Sequence, residues 1–334
     1  MRTILLTGAS GVIGRAVAEE LADEHVIGLV HSDTDVPEVD EALRADTAQP
    51  RLGLSESDWK DLAARVDVVI HSAALTEWGQ PWQRYQSINI DGTERVVELA
   101  RAAGAPIHYV STCFVRAIEL GNVAWLGPDN VVAPYIRSKL ECERLVRESG
   151  LPFAIYRPTN LVGDSRTGGS SRPQIVQLLS EWLCRGKAPY YPSHPGNLVD
   201  VLSLDMTAIA IARIVRAEEF GGRYWLTTGP DAMTVQDAQD ILFTHARDIG
   251  RDLDPVPVVD PSQPLPVPLE QVPATSRAFL KVLIDVSEVV RACGGVLPTS
   301  LPELRSRHGL PEASDRDAYR LSLKYWAEQR AATR

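Results

Sequence analysis

Thr3-Ile4-Leu5-Leu6-Thr7-Gly8-Ala9-Ser10-Gly11-Val12-Ile13-Gly14 is the stretch on which the fold turns. An apolar run of strand length ends in Gly-x-x-Gly-x-x-Gly and passes into a segment with helical periodicity, a strand–turn–helix pattern. Gly8 allows a tight turn, Gly11 lets backbone approach a pyrophosphate, and Gly14 allows close helix–strand packing. Phosphates would then sit at a helix N-terminus, where free N–H groups and the positive end of the helix dipole converge. The spacing is not the usual G-x-G-x-x-G, and a glycine triplet alone is a weak signal; the strand before it and the helix after it give it weight.

Reading outward, four more runs rich in Val, Ile and Leu look like buried strands: His25–Val30, Val66–Ile70, Ile107–Val110 and Phe153–Tyr156. Amphipathic segments lie between several of them, with Val96, Val97, Leu99 and Ala100 on one helical face. Parallel strands need crossovers that cover both faces of a sheet, so this alternation predicts a doubly wound parallel α/β domain. After about residue 165 the pattern turns helical. Ile175, Val176, Leu178, Leu179, Trp182 and Leu183 form one amphipathic helix; Val235, Ala238, Ile241, Leu242 and Ile249 form another, with Thr234 as its N-cap. Residues 255–273 hold seven prolines and read as an extended arm. Helical patterns follow around Ala278–Val290 and Asp317–Ala331. The expected division is a dinucleotide-binding domain over 1–165 and a smaller, mainly helical substrate region over 166–334. Strands such as Arg223–Leu226 return from the second part to the sheet.

Composition narrows the function. The 334 residues carry 34 Lys plus Arg against 44 Asp plus Glu, a net charge of −10, with no basic run. That leaves no electrostatic footprint for nucleic acid or for an anionic membrane surface. The four cysteines (Cys113, Cys142, Cys184, Cys293) show neither metal-ligand spacing nor a disulfide framework, there is no Asn-x-Ser/Thr sequon, and no apolar run approaches membrane-span length. The apolar N-terminus runs straight into the glycine turn, so it reads as a strand rather than a signal peptide. A reduced, cytoplasmic protein is the expectation.

Two further motifs bear chemistry. Tyr135-Ile136-Arg137-Ser138-Lys139 places a phenol and an ammonium on one helix face. A phenol with its ordinary pKa near ~10 is a poor proton donor and acceptor at neutral pH, and a neighbouring cation lowers it. Alone, such a pair is more often a surface contact. Ser111 and Thr112 close the run that begins at Ile107, where a hydroxyl reaches the crevice at the carboxyl ends of the strands. Alone, that pair is more often a turn or cap.

Their order along the chain decides between these readings. The glycine turn, His71-Ser72-Ala73-Ala74, Asn89-Ile90-Asp91-Gly92-Thr93, Ser111-Thr112, Tyr135-x-x-x-Lys139 and Arg157-Pro158-Thr159-Asn160-Leu161-Val162-Gly163 follow one another. Over nearly the whole chain this resembles the extended short-chain dehydrogenase/reductase superfamily, whose domain is Rossmann-type. The segments Asp46–Ser55 and Gly163–Gly168, the Ser-Thr pair and Asp200–Asp205 look like its thioester-reductase and fatty-acyl-reductase branch. Sugar epimerases and dehydratases usually carry Val-Tyr-Gly where this chain has Val115-Arg116-Ala117.

The resemblance implies roles. Thr112 matches the catalytic hydroxyl, with Ser111 a second candidate; Tyr135 is the acid and Lys139 its partner, which also holds the nicotinamide ribose. Gly8, Ser10, Gly11, Val12, Ile13 and Gly14 hold the cofactor phosphates, Asp46 and Thr47 the adenine side, and Ser72, Ala73 and Ala74 line the groove. Pro158 begins the segment near the carboxamide, and Asn89 supports Lys139 through water or caps a helix. NADP(H) is favoured, with Arg15 and His31 near its phosphate; Asp33, after Ser32, argues for NAD(H). Trp78, Trp82 and Tyr85 at helical spacing form either packing or one wall of an apolar pocket, and Asp205 reads as a helix N-cap. The expected activity is a free-standing, NADPH-dependent reduction of a carbonyl: an acyl thioester, by way of a hemithioacetal, or an aldehyde or ketone. "Free-standing" rests on a first strand that starts at residue 3. The alternatives are an epimerase or dehydratase that recycles its hydride, and a catalytically silent cofactor-binding protein. A carrier protein is an implied partner, and the helices around Asn89–Ala102 and Tyr135–Glu148 an implied homodimer face.

Overall fold

The computed structural model describes residues 1–31 and 34–332. Its strands are β1 (Thr3–Thr7), β2 (His25–Val30), β3 (Glu41–Arg44), β4 (Val68–His71), β5 (Ile107–Val110), β6 (Phe153–Pro158), β7 (Asn160–Val162), β8 (Tyr191–Pro192), β9 (Val201–Ser203), β10 (Arg223–Leu226) and β11 (Val258–Val259). Seven of them form one sheet in the order β10-β6-β5-β4-β1-β2-β3, every neighbouring pair parallel.

Side chains along a strand alternate between the two faces of a sheet, and both faces here are covered. Ile4 and Leu6 of β1, Val26 and Val30 of β2, and Val68 and Ile70 of β4 pack in one core. Helices α1 (Val12–Glu20) and α8 (Leu204–Arg216) close that side with Val17, Ile211 and Ile214. The residues between, Leu5, Ile27, Leu29 and Val69, enter the opposite core against α2 (Glu56–Arg65) and α4 (Asp91–Ala103) through Leu62, Val96, Val97 and Leu99. This two-sided burial explains why the strands read as continuous apolar runs.

The strands differ from the sequence reading in places: β6 runs on to Pro158, and β3 and β4 differ for local reasons. β3 was not expected: it is an edge strand, its residues alternate between half-buried and exposed, and it carries no apolar run. β4 begins at Val68 rather than Val66, because Val66 ends α2, and it runs on to His71, whose ring is bonded inside.

The second half of the chain supplies both sheet and helices. β10 pairs with β6, as the sequence suggested, and α8 lies under β1. A separate core gathers α7 (Ile175–Leu183), α9 (Val235–Asp248), α10 (Ala274–Ala292) and α12 (Asp315–Ala332) around Leu179, Leu183, Leu242, Leu283 and Tyr319. Thr234 caps α9, its hydroxyl accepting the Asp237 N–H at 3.1 Å. Asp205 is no cap: Ser203 holds that position, and the Asp205 carboxylate instead accepts Ser165 N–H at 2.9 Å and Ser165 Oγ–H at 2.6 Å, tying the Gly163–Gly168 turn to α8. The proline-rich segment is an irregular loop that contributes β11, which pairs with β8, and a 3-10 turn at Leu269–Gln271. Among the described residues no helix is long and apolar enough to cross a membrane, and the four cysteines are unbridged and buried.

Candidate active site

The strand order reverses between β1 and β4, and in such sheets the crevice at that switch point takes the ligand. The two loops that meet there are the glycine turn and the segment after His71. Gly8 has φ +70°, the left-handed region that only glycine enters freely, and a Cβ on it would lie 2.8 Å from Ala73 N. A Cβ on Gly14 would lie 2.1 Å from the Gly8 carbonyl, so here the third glycine is needed for α1 to start directly on the turn. A Cβ on Gly11 would come within 3.0 Å of the same oxygen. Gly11 is the N-cap of α1 and brings no side-chain acceptor. Val12 packs below against Leu161 and Leu204, with Ile13 alongside, while Ser10 stays half-buried.

A buried imidazole fixes the facing loop. His71 Nδ1 is 2.7 Å from Thr7 Oγ1 and its Nε2 3.0 Å from Thr93 Oγ1. Burial and the nearby Lys139 charge push its pKa down to about 3, so it stays neutral. Thr7 also receives the chain that follows: Ser72 N–H donates to its carbonyl at 3.3 Å and Ala73 N–H to its hydroxyl at 3.1 Å. Ser72, Ala73 and Ala74 are thereby held beside the glycine turn. Thr7 and Thr93 were not singled out in the sequence, and no local pattern marks two threonines as the brackets of one histidine.

Where the resemblance would place the adenine, Asp46 Oδ1 accepts Ala48 N–H at 2.9 Å, and Thr47 packs on Gly92. The exposed His31 ring lies 3.9 Å from the Asp46 carboxylate. Ser32 and Asp33 lie outside the described residues. Arg15, expected to face a phosphate, is held by Glu38 at 3.0 Å and donates to the Asp35 carbonyl at 2.6 Å.

The candidate reacting groups gather at the ends of β5 and β6. Thr112 caps the short 3-10 turn Cys113–Val115 and lies beside the Tyr135 phenol, which sits in the first turn of α6 (Ala133–Glu148). Burial raises the phenol above its ordinary pKa, the Cys113 thiol adds to this, and the Thr112 hydroxyl opposes it. Lys139, one turn on, donates from Nζ to the Val110 carbonyl at 2.6 Å and lies 4.5 Å from the centre of the Tyr109 ring. Its own pKa falls to about 8 through burial. The expectation that this ammonium depresses the phenol is therefore corrected: the cation is turned to Val110 and Tyr109, and the group acting favourably on Tyr135 is Thr112. Ser111, the second hydroxyl candidate, is buried and its Oγ has no partner among the described residues.

Asn89 lies in a π-turn, Gln86–Ile90, between α3 (Trp82–Tyr85) and α4, and caps nothing. Its Nδ2 donates to Ser138 Oγ at 2.9 Å and its Oδ1 accepts Leu75 N–H at 2.7 Å, while Ser138 Oγ–H returns to the Tyr135 carbonyl at 2.7 Å. α6 is clamped again one turn past Lys139. Arg157 is 1% exposed and donates to both Glu143 oxygens at 2.9 and 2.6 Å. It also donates to Glu119 of α5 (Arg116–Glu119), under the Trp225 ring. Pro158 follows it at the end of β6. The sequence marked Arg157 only as part of a motif, because its two carboxylate partners come from separate helices.

The three aromatic residues do not share a face. Tyr85 is buried and donates to the Glu77 carbonyl at 2.5 Å, Trp82 is 42% exposed, and Trp78 lines a cavity. That cavity, of about 110 Å³, has Trp78, Phe114, Thr159 and Val290 among its lining on the side of Tyr135. Leu179, Leu242 and Tyr319 line it on the side of the helical core. The site thus has a cradle that side chains larger than hydrogen would fill, a helix start without a cap, and an orphan Ser111 hydroxyl. These features fit a dinucleotide laid across the switch point with its reactive end toward Tyr135.

Residues 33–211 match the family model described as male sterility protein, an NAD-binding family. The linear gramicidin synthase of Brevibacillus parabrevis is 30% identical over 269 residues, which is 70% of this chain and 5% of that protein. Glycine betaine reductase ATRR of Emericella nidulans is 25% identical over 76% of this chain and 23% of its own length. The chain therefore spans only a small part of these curated relatives. Among solved structures, the terminal R domain of the myxalamid PKS-NRPS pathway is 27% identical with a TM-score of 0.72, covering 98% of this chain and 91% of that one. The reductase (R) domain of a nonribosomal peptide synthetase from Mycobacterium tuberculosis shares the fold, with a TM-score of 0.68 over the whole of this chain and 92% of its own, at 21% identity.

Proposed function

The chain belongs to the male sterility protein family, in the thioester-reductase-like branch of the extended short-chain dehydrogenase/reductases, and from that premise we propose that it reduces the carbonyl of an acyl thioester, or of the matching aldehyde, with NADPH. The observation that carries this reading is the buried Tyr135 phenol beside Thr112, in the same apolar cluster as Phe114, Trp78 and Val290 of the cavity wall. A bound nicotinamide supplies the hydride. Gly8, Gly11 and Gly14 would admit its pyrophosphate to the start of α1, with Ser72–Ala74 as the opposite wall. Lys139 and the unpaired Ser111 hydroxyl are the polar groups at its ribose end.

Thr112 and Tyr135 hold the carbonyl oxygen, and Tyr135 delivers the proton to it. The high phenol pKa in the free protein suits a proton donor, since the neutral form predominates until negative charge develops on the substrate oxygen. The Asn89–Ser138 bonds and the Arg157–Glu143 pair fix the helix that carries both groups. With a thioester, hydride and proton addition would give a hemithioacetal, whose C–S bond then breaks to release the thiol and the aldehyde. The kinship with peptide and polyketide synthetases supports an acyl group delivered on a carrier protein.

NADPH is preferred in this reading because Arg15, next to the glycine turn, can exchange Glu38 for a ribose phosphate. The test follows NADPH absorbance with an acyl N-acetylcysteamine thioester and the corresponding aldehyde, with NADH in parallel. Steady oxidation with either carbonyl, faster with NADPH, is expected. No oxidation by a protein that binds NADPH tightly would shift the reading to internal hydride recycling.

A further inference from the structure

Gln239 lies on α9 and is 2% exposed, and it lines the cavity whose other wall includes Phe114, a member of the Tyr135 cluster. Its Nε2 has no hydrogen-bond partner among the described residues. Its cavity neighbours on α9 are Val235, Ala238 and Leu242, and Leu179 and Leu183 reach the same space from α7. A buried amide that leaves a donor unpaired is costly to the folded state, and such groups recur where a ligand completes the bond.

A second polar group shares the lining. Asn197 donates from Nδ2 to the Ser287 carbonyl at 2.9 Å, which spends its donor side, while its buried Oδ1 finds no partner among the described residues. The charged lining residue Asp200 is already engaged, accepting Thr228 and Gly229 N–H at 3.0 and 2.8 Å. The cavity joins two apolar clusters. One contains Tyr135 together with Phe114 and Val290, and the other lies among α7, α9 and α12. A substrate whose carbonyl sits at Tyr135 would therefore send its tail toward Gln239.

Resting on the reading of the site as a carbonyl reductase, we propose that Gln239 selects the acyl tail: an uncharged, mainly apolar chain that bears one hydrogen-bond acceptor, a ketone or hydroxyl oxygen, remote from the carbonyl that is reduced. A plain alkyl tail would leave the Gln239 donor unmet. A charged tail would meet no counter-charge, since the apolar walls offer none and Asp200 is committed to backbone.

The test separates tail recognition from chemistry by using alcohols, which match the reduced product and cannot be reduced further. Binding of n-hexanol and of a keto-hexanol, with its ketone at the end remote from the hydroxyl, is measured by calorimetry on the NADP+-saturated protein. The same pair is measured on Gln239→Leu and on Gln239→Glu. Wild type is expected to bind the keto-alcohol about tenfold more tightly, as one buried hydrogen bond allows. Gln239→Leu should lose that preference and bind n-hexanol at least as well as wild type does. Gln239→Glu, whose carboxyl burial keeps protonated, retains one donor and should keep the preference. Equal binding of the two alcohols by wild type, or a Gln239→Leu variant that keeps the preference, would overturn the assignment. Failure of carbonyl reduction with the binding preference intact would instead overturn the reductase reading and leave the tail site standing.

Discussion

His71 and Gln239 are both polar, both almost wholly buried, and each stands on a secondary-structure element beside a space for a ligand. His71 is bracketed by two threonine hydroxyls, at 2.7 and 3.0 Å, whereas Gln239 leaves its amide donor unpaired among the described residues. The same contrast separates their surroundings. Around the switch point Asn89, Ser138, Arg157 and Glu143 answer one another inside the protein. Around the cavity Gln239 and Asn197 keep open valences. Apart from the Ser111 hydroxyl, closed bonds hold the switch-point end in one geometry before anything binds, and such preorganisation is what a proton-transfer site needs. Open bonds at the tail end leave recognition to the substrate.

The comparison is broken most severely at Arg157. Arg157→Ala strands the buried Glu143 and should lower unfolding free energy by about 3–5 kcal/mol, read from urea denaturation. A loss below about 1 kcal/mol would show that the pair does not anchor α6. Next comes Gly14→Ala, whose Cβ would meet the Gly8 carbonyl at 2.1 Å. It should cost about 1–3 kcal/mol and abolish NADPH fluorescence enhancement, and retained binding would remove the cradle from the account.

A paired measurement sharpens the contrast itself. Thr93→Val leaves His71 Nε2 without its partner and should destabilise by about 1–3 kcal/mol, while Gln239→Leu should cost nothing or raise the melting temperature. Equal losses would mean that the two residues are not differently satisfied. The smallest effect concerns pH. Burial holds Lys139 to about 8, so its charged form is lost as pH rises through that value, well below an ordinary lysine. The free-enzyme kcat/KM should fall on an alkaline limb near pH 8. Lys139→Arg, always protonated, should lower the rate but move that limb upward. An unmoved limb would assign it to another group.

The sheet was legible in the sequence because strands buried on both faces leave apolar runs, and Ile4–Leu6 or Val68–Ile70 could hardly be read otherwise. β3 was not legible, since an edge strand with Glu41 and Arg44 at its ends has no such run. The chemistry-bearing residues stood out where the signal was local: the glycine spacing, Tyr135 and Lys139 four apart, and Thr112 at a strand end. What the sequence hid was orientation and long-range pairing. Lys139 shares a helix face with Tyr135 yet turns its ammonium to Val110. Asp205, two residues past Ser203, gives up capping for a bond to Ser165 forty positions earlier. Gln239 is in sequence one more polar position on an amphipathic helix, and only the packing of α7, α10 and α12 around α9 puts it inside.

The most direct measurement is single-turnover NADPH oxidation by the wild-type protein and by Tyr135→Phe, with an acyl N-acetylcysteamine thioester and with cofactor affinity determined in parallel. Loss of the proton donor should slow the step by about 10²–10⁴-fold and leave NADPH affinity within a factor of about two. A Tyr135→Phe protein that oxidises NADPH with thioester at the wild-type rate would contradict the account, because the proton would then come from elsewhere.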